Sequence, residues 1–375
     1  MDQKQRKQER DGEARFALLI LLFIIIEVAL LVFLLTAHLM PKSWTWGGLQ
    51  NSEEETSGDA TTPEDSQTTQ PQPSVPVFSG GVLPARPTAN STTKSLGVEV
   101  TSNYAILVDV KTGNILASKN ADVRFSPASM TKIMTLIVAC ENLTEEDLER
   151  KLTVTQELYD YARAGNYADS SVAGHDVGDE IRVKDLLYGI GVKSAADCTA
   201  MIVHDIRDSE AEFVALMNQK AAEMGLTQTH FDNAIGYDSE ENYTTAAEMA
   251  MILSYAMQSD MIKRILSVEY HRFEAYYYKD GVYSSFNFTY YSTLFQSRME
   301  TYKKNSGKDF SLQSAKLEAG KTGYWDSSSL ACQAKALSGG NTYVLVMGDA
   351  TGSSASLACY FTMKDVKYLL DTYVP

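Results

Sequence analysis

Hydrophobic and polar positions divide the chain into unlike stretches. Residues 1–16 are short, charged and polar, whereas residues 17–40 are apolar almost without a break. The second stretch is long enough for a helix to cross a bilayer core, which needs about 20 apolar residues. Residues 41–96 are dominated by Ser, Thr, Pro, Gly and Gln, with an acidic cluster at Glu53-Glu54-Glu55. Too little there can be buried to offset ordering entropy, so a disordered linker is predicted. From residue 97 the pattern is that of a folded domain. Apolar runs at 104–110 and 114–118 around Lys111-Thr112-Gly113 predict a β-hairpin. Residues 130–140 are apolar on nearly every side and predict a buried helix, with Pro127 in its first turn and Ser126 as N-cap. Helical patterns follow at 185–190, 199–206, 210–224 (closed by Gly225) and 245–258. Residues 268–295 are tyrosine-rich and alternate about Lys279-Asp280-Gly281, which predicts paired strands. Extended pieces at 316–320, 330–337 and 342–347 precede a closing helix at 363–373. Strands, a helical middle, then strands and a helix give an α+β domain, its first and last segments sharing one antiparallel sheet flanked by helices.

Charge orients the apolar run. Lys4, Arg6, Lys7, Arg10 and Arg15 precede it, and only Lys42 follows before Arg86. By the positive-inside rule the N-terminus is cytoplasmic and the rest extracytoplasmic. No small-residue cleavage site follows, so the run reads as an uncleaved signal anchor, with Trp44 and Trp46 at the outer interface. Glu27 lies mid-span, either protonated and tolerated or hydrogen-bonded to a partner helix. The formal net charge of −15 argues against nucleic acid. Cys140, Cys198, Cys332 and Cys359 have no metal-ligand spacing, and scattered His38, His175, His204, His230 and His271 make no zinc set. Free buried thiols are favoured, with disulfides left open.

Ser129 and Lys132 lie three residues apart at the start of the buried helix and so share a face. Burial disfavours a lysine's charge, and a neutral amine can take the proton of a neighbouring hydroxyl. A second Ser-x-x-Lys, Ser91-Thr92-Thr93-Lys94, sits in a polar stretch that cannot make a buried site.

The domain resembles the serine D-alanyl-D-alanine carboxypeptidases, the low-molecular-mass penicillin-binding proteins of the β-lactamase-like superfamily. The resemblance rests on Pro127-Ala128-Ser129-Met130-Thr131-Lys132-Ile133-Met134-Thr135, then Val183-Lys184-Asp185-Leu186-Leu187-Tyr188 ahead of Ser194-Ala195-Ala196-Asp197, and Gly320-Lys321-Thr322-Gly323-Tyr324. His230-Phe231-Asp232-Asn233 with Gly236, followed by Tyr243-Thr244-Thr245-Ala246, is similar to a further stretch of the family. It implies a penicillin-binding protein-like transpeptidase fold over residues 97–375, behind a cytoplasmic tail (1–16), an anchor (17–40) and a linker (41–96). It also implies a single-pass protein of the bacterial cell membrane that removes the terminal D-Ala from peptidoglycan stem pentapeptides, without metal or cofactor. Ser129 would be the nucleophile, Lys132 its base and Ser194 the proton relay to the leaving amine. Lys321 and Thr322, with Gly323 and Tyr324, would bind the substrate; the N–H groups of Ser129 and Tyr324 would form the oxyanion hole. β-Lactams would be covalent inhibitors.

One position departs from the family pattern: Ala196 stands where Asn is expected two residues after the second serine. An amide lost there removes a hydrogen bond or two, with Asp197 or Asn287 as candidate replacements. The departure also motivates the alternative of a weak or inactive homologue that binds stem peptides or β-lactams. A β-lactamase would need a deacylating Glu-x-x-x-Asn, which is missing after the second motif. Lys111-Thr112-Gly113 and Ser285-Phe286-Asn287 repeat family motifs literally but in turn and strand contexts.

Overall fold

The computed structural model describes residues 75–164, 170–325 and 327–375. The expected tail, the anchor and the linker as far as residue 74 lie outside the described residues. Among the described residues no helix is long and apolar enough to cross a membrane.

The predicted hairpin forms as β2 (Ser102–Asp109) and β3 (Ile115–Lys119), antiparallel, with Leu107 opposite Ala117. They join β8 (Ala315–Trp325), β9 (Ser327–Ala336) and β10 (Thr342–Ala350) in a six-stranded sheet ordered β1-β3-β2-β10-β9-β8. First and last segments therefore share one sheet. It is antiparallel except for the short β1 (Lys94–Ser95), which runs parallel to β3. Successive strand side chains point to opposite faces. Ile106, Val108, Val344 and Val346 enter the core shared with the helical layer; Ala105, Leu107, Leu345 and Met347 meet Met363, Val366, Leu369 and Leu370 of the closing helix Ala355–Tyr373. A sheet covered on both faces needs an apolar residue at every step, which is why 105–108 reads Ala-Ile-Leu-Val.

The tyrosine-rich hairpin, β6 (Tyr270–Lys279) and β7 (Val282–Tyr291), turns at Asp280 and Gly281, both at positive φ, as a two-residue hairpin loop requires. It belongs to a second sheet ordered β4-β5-β6-β7, with β4 (Lys151–Thr153) and β5 (Asp179–Arg182). The sequence pattern gave strands but not their partners; Asp179 opposite Tyr277 fixes the pairing. Two of the expected helices begin at capping side chains: Ser209 accepts the Glu212 N–H, and Thr245 that of Glu248; the closing helix starts at Ala355, eight residues before the expected 363.

The linker boundary needs correction. Residues 75–96 are a strap laid on the domain, not a disordered tether. Val77 N–H donates to Leu143 O (2.7 Å) and Phe78 N–H to Cys140 O (2.9 Å). Phe78 is buried edge-on against Tyr255, 5.2 Å between ring centroids. Arg86 reaches Asp122 at 2.7 Å and Glu248 at 3.3 Å. Order here comes from main-chain hydrogen bonds and a few anchors, which leave no periodic signal to read. All four cysteines are free thiols.

Candidate active site

The buried helix begins one turn differently from expectation. A 3₁₀ turn, Ala128–Thr131, leads into the α-helix Lys132–Asn142; Pro127 rather than Ser126 is the N-cap, and the buried Ser126 hydroxyl has no hydrogen-bond partner. In a 3₁₀ turn residues three apart eclipse, so the pairing of Ser129 with Lys132 survives. Lys132 Nζ donates to Ser129 Oγ at 3.2 Å and to Ile235 O at 2.6 Å. The lysine is 1% exposed. Burial brings its pKa down to about 7, against the opposing pull of Asp197 and Glu210.

The acceptor at Ile235 explains the Asp232-Asn233…Gly236 signal. Asn233 Oδ1 accepts the N–H groups of Gly236 (2.7 Å) and Tyr237 (2.9 Å), and Thr135 Oγ1 donates to Ala234 O (2.6 Å), which seats this turn on the helix. Gly236 is at φ +76, and a Cβ there would lie 1.8 Å from Ala128 O. Only glycine allows that approach.

Ser194 stands in the left-handed region (φ 62) after the π-helical turn Gly189–Lys193. Lys321 Nζ, on β8, donates to its Oγ at 2.8 Å and to Thr322 O at 2.7 Å. Lys321 is fully buried, and burial first, then repulsion from Lys132 and Arg298, holds its pKa well below the usual lysine value. Thr322 Oγ1 donates to Thr293 Oγ1 at 2.7 Å. A Cβ on Gly323 would lie 3.1 Å from Pro127 O and 3.4 Å from the Ser129 nitrogen, so β8 runs tight against the Ser129 turn. Tyr324 is 47% exposed at the rim.

Ser129, Ser194, Thr322, Gly323 and Tyr324 line one cleft of about 260 Å³, and the two lysines lie beneath its serines. A larger cavity of about 510 Å³ beyond the other end of β8, between Lys263 and Glu318, holds no such serine–lysine pair. Sequence reasoning missed Arg298, a lining residue of the cleft whose guanidinium donates to Gly323 O (2.8 Å) and to Ser328 Oγ. It also missed Thr293, Ser170 and Ser171, likewise in the lining. None sits in a recognisable local motif.

Neither suggested replacement for the missing amide reaches the cleft. Asp197 turns away to accept the N–H groups of Ala173 and Gly174 (2.8 and 3.1 Å), and Asn287 is exposed on β7. Lys111-Thr112-Gly113 forms the β2–β3 turn, and Ser285 bonds Glu274 on the hairpin. Both motif repeats are thus accounted for structurally.

Residues 88–351 match a family model described as D-alanyl-D-alanine carboxypeptidase. The chain is 34% identical over 164 residues to the D-alanyl-D-alanine carboxypeptidase DacF of Bacillus subtilis, across 43% of this chain and 40% of that protein. It is 36% identical over 149 residues to DacC of Escherichia coli, across 39% and 37%. The matched part thus spans about two fifths of those relatives' length. The crystal structure of the Streptomyces K15 DD-transpeptidase superposes with a TM-score of 0.58 at 25% identity, covering 72% of this chain and 97% of that one. With an ordered serine–lysine cleft and a family match across most of its length, the chain belongs to the D-alanyl-D-alanine carboxypeptidase family.

Proposed function

We propose that this protein is a membrane-anchored serine D,D-carboxypeptidase acting outside the cytoplasmic membrane on peptidoglycan stem peptides that end in D-Ala-D-Ala. The observation that carries the reading is the contact of Lys132 Nζ with Ser129 Oγ, 3.2 Å apart, with the amine poised near neutrality. Neutral Lys132 takes the Ser129 proton as Oγ attacks the penultimate D-Ala carbonyl. The N–H groups of Ser129 and Tyr324 receive the oxyanion, a contribution worth about 3 kcal/mol per donor in comparable acyl-transfer sites. The C–N bond then breaks, and the leaving amine gains a proton through Ser194 Oγ, which Lys321 Nζ contacts at 2.8 Å. Water then attacks the ester, Lys132 taking its proton and passing it to Ser129 Oγ as the acyl–Oγ bond breaks. Thr322 and Arg298 form the polar end that holds the substrate's free carboxylate, a charge-assisted contact, with the buried Lys321 behind it. β-Lactams would acylate the same serine. The apolar run 17–40 and the cations before it support the anchor, with residues 41–74 as linker.

Ala196 favours a second reading, a homologue that binds stem peptides or β-lactams with little turnover. Release of D-Ala from a pentapeptide ending in D-Ala-D-Ala separates the two. Catalytic release supports the enzyme; tight binding without release from folded protein supports the binder.

A further inference from the structure

Glu248 is completely buried, and a carboxylate so placed is costly unless its oxygens are met by donors. Both oxygens accept the Gln228 N–H (3.0 Å each), Oε2 accepts from Thr229 Oγ1 (2.6 Å), and Oε1 accepts from Arg86 Nη1 (3.3 Å). Among the described residues Arg86, carried in by the strap at 75–96, is the only cation paired with it. Thr229 gives its one hydroxyl hydrogen to the carboxylate, so its Oγ1 accepts from Thr244 Oγ1 at 2.8 Å. Thr244 pairs with Phe125 through two backbone hydrogen bonds (2.8 and 3.0 Å), and His230 pairs with Tyr243 in the same way (2.9 and 3.0 Å). These contacts root both segments that frame the nucleophile. Phe125 leads through Pro127 into the Ser129 turn. The His230–Tyr243 pair closes the base of the loop that carries Ile235, the acceptor of Lys132, and Gly236, which presses on Ala128. Arg86 itself is not part of the cleft lining.

We propose that Arg86 is a positioning residue for the Ser129–Lys132 pair, acting through Glu248. By countering the buried carboxylate it keeps Gln228, Thr229 and Thr244 in place, and with them the turn and the loop that meet at Ser129. Without the guanidinium the charge is left buried and uncompensated, and relief comes from loosening the contacts around it. The strap is thereby part of what makes the serine reactive. The inference rests on the reading of Ser129 and Lys132 as nucleophile and base.

The test follows acylation of the protein by benzylpenicillin in wild type, Arg86→Ala, Arg86→Lys and Asp122→Asn, with limiting rate and half-saturating concentration resolved. Arg86→Ala should lower the limiting rate about ten-fold, as expected for a small misplacement of reacting groups, and leave half-saturation near the wild-type value. Arg86→Lys, which keeps a cation against Glu248, should restore most of the rate. Asp122→Asn disturbs only the solvent-side ion pair of Arg86 and should stay within about two-fold of wild type. An unchanged limiting rate in Arg86→Ala, or equal losses in Arg86→Ala and Asp122→Asn, would overturn the proposal. Hydrogen exchange read by mass spectrometry follows the same coupling without any chemistry at Ser129. Arg86→Ala should speed exchange in peptides covering 125–132 and 228–237 and leave β9 and β10 as in wild type; unchanged exchange in the first two would also overturn it. A wild type that is not acylated, yet shows this local loosening in the variant, would count against the serine–lysine reading alone.

Discussion

At the scale of single residues, the site concentrates cations in a dry place: Lys132, Lys321 and Arg298 are all buried. Burial is the leading cause of lowered proton affinity in each. Lys132 works as a base only when neutral, and its pKa is held at about 7. The pH profile of kcat/KM should therefore rise with pH and inflect near 7; a profile flat from about 5.5 to 9 would contradict the assignment. Lys321 is held well below the usual lysine value first by burial and then by repulsion from Lys132 and Arg298. An arriving carboxylate relieves that repulsion, so carboxylate binding should take up protons and weaken as pH rises. Calorimetry in buffers of different ionisation enthalpy reads this directly, and zero proton uptake would exclude it. Removing the guanidinium in Arg298→Ala frees Gly323 O and the substrate strand, with an expected loss of ten-fold or more in kcat/KM, mostly through KM. Unchanged KM would remove Arg298 from carboxylate binding. Ser129 with Lys132 was legible in the sequence because three-residue spacing on a helical turn forces the two together. Arg298 was not, since only the tertiary fold brings the turn after β7 against β8.

At the scale of elements, close backbone approach shapes the Ser129 turn. Gly236 presses on Ala128, which itself holds φ +47. Gly236→Ala would drive a methyl into the Ala128 carbonyl, so acylation of Ser129 should fall by at least two orders of magnitude while the far-UV spectrum stays native. Wild-type acylation by that variant would show the turn to be tolerant. The strap at 75–96 is the other lesson. Its polar composition hid an ordered segment whose anchors, Phe78 and Arg86, are isolated in sequence. Phe78→Ala should cost about 3–5 kcal/mol of stability, as for other buried phenylalanines. A chain starting after residue 96 should be markedly less stable than one starting at residue 75; equal denaturant midpoints would restore the linker to residue 96. The central strands and the helices Glu210–Glu223 and Ala246–Ala256 were readable because burial on both sheet faces and capping residues such as Ser209 and Thr245 leave local marks; the helices Asp260–Ser267 and Met299–Ser306 were not. The Ser126 N-cap failed because the helix opens with a 3₁₀ turn, a distinction that residue types at that point do not encode.

At the scale of the whole molecule, the strap meets the C-terminal end of the Lys132–Asn142 helix, while Ser129 lies just before its N-terminal end. At 1.5 Å per residue the two are separated by roughly 16 Å of helix. The strap thus packs at a point remote from the cleft. Order of motifs along the chain made the fold class legible. The second sheet was hidden because strand partners depend on contacts far apart in sequence, such as Asp179 with Tyr277.

The central claim is that Ser129 is a nucleophile activated by Lys132. It is tested most directly by incubating the protein with benzylpenicillin, digesting it and locating the adduct by mass spectrometry, in wild type and in Lys132→Ala. The account predicts one penicilloyl group on the peptide carrying Ser129, formed at least a thousand-fold more slowly without the lysine. An adduct on another residue, or equal rates in the two proteins, would contradict it.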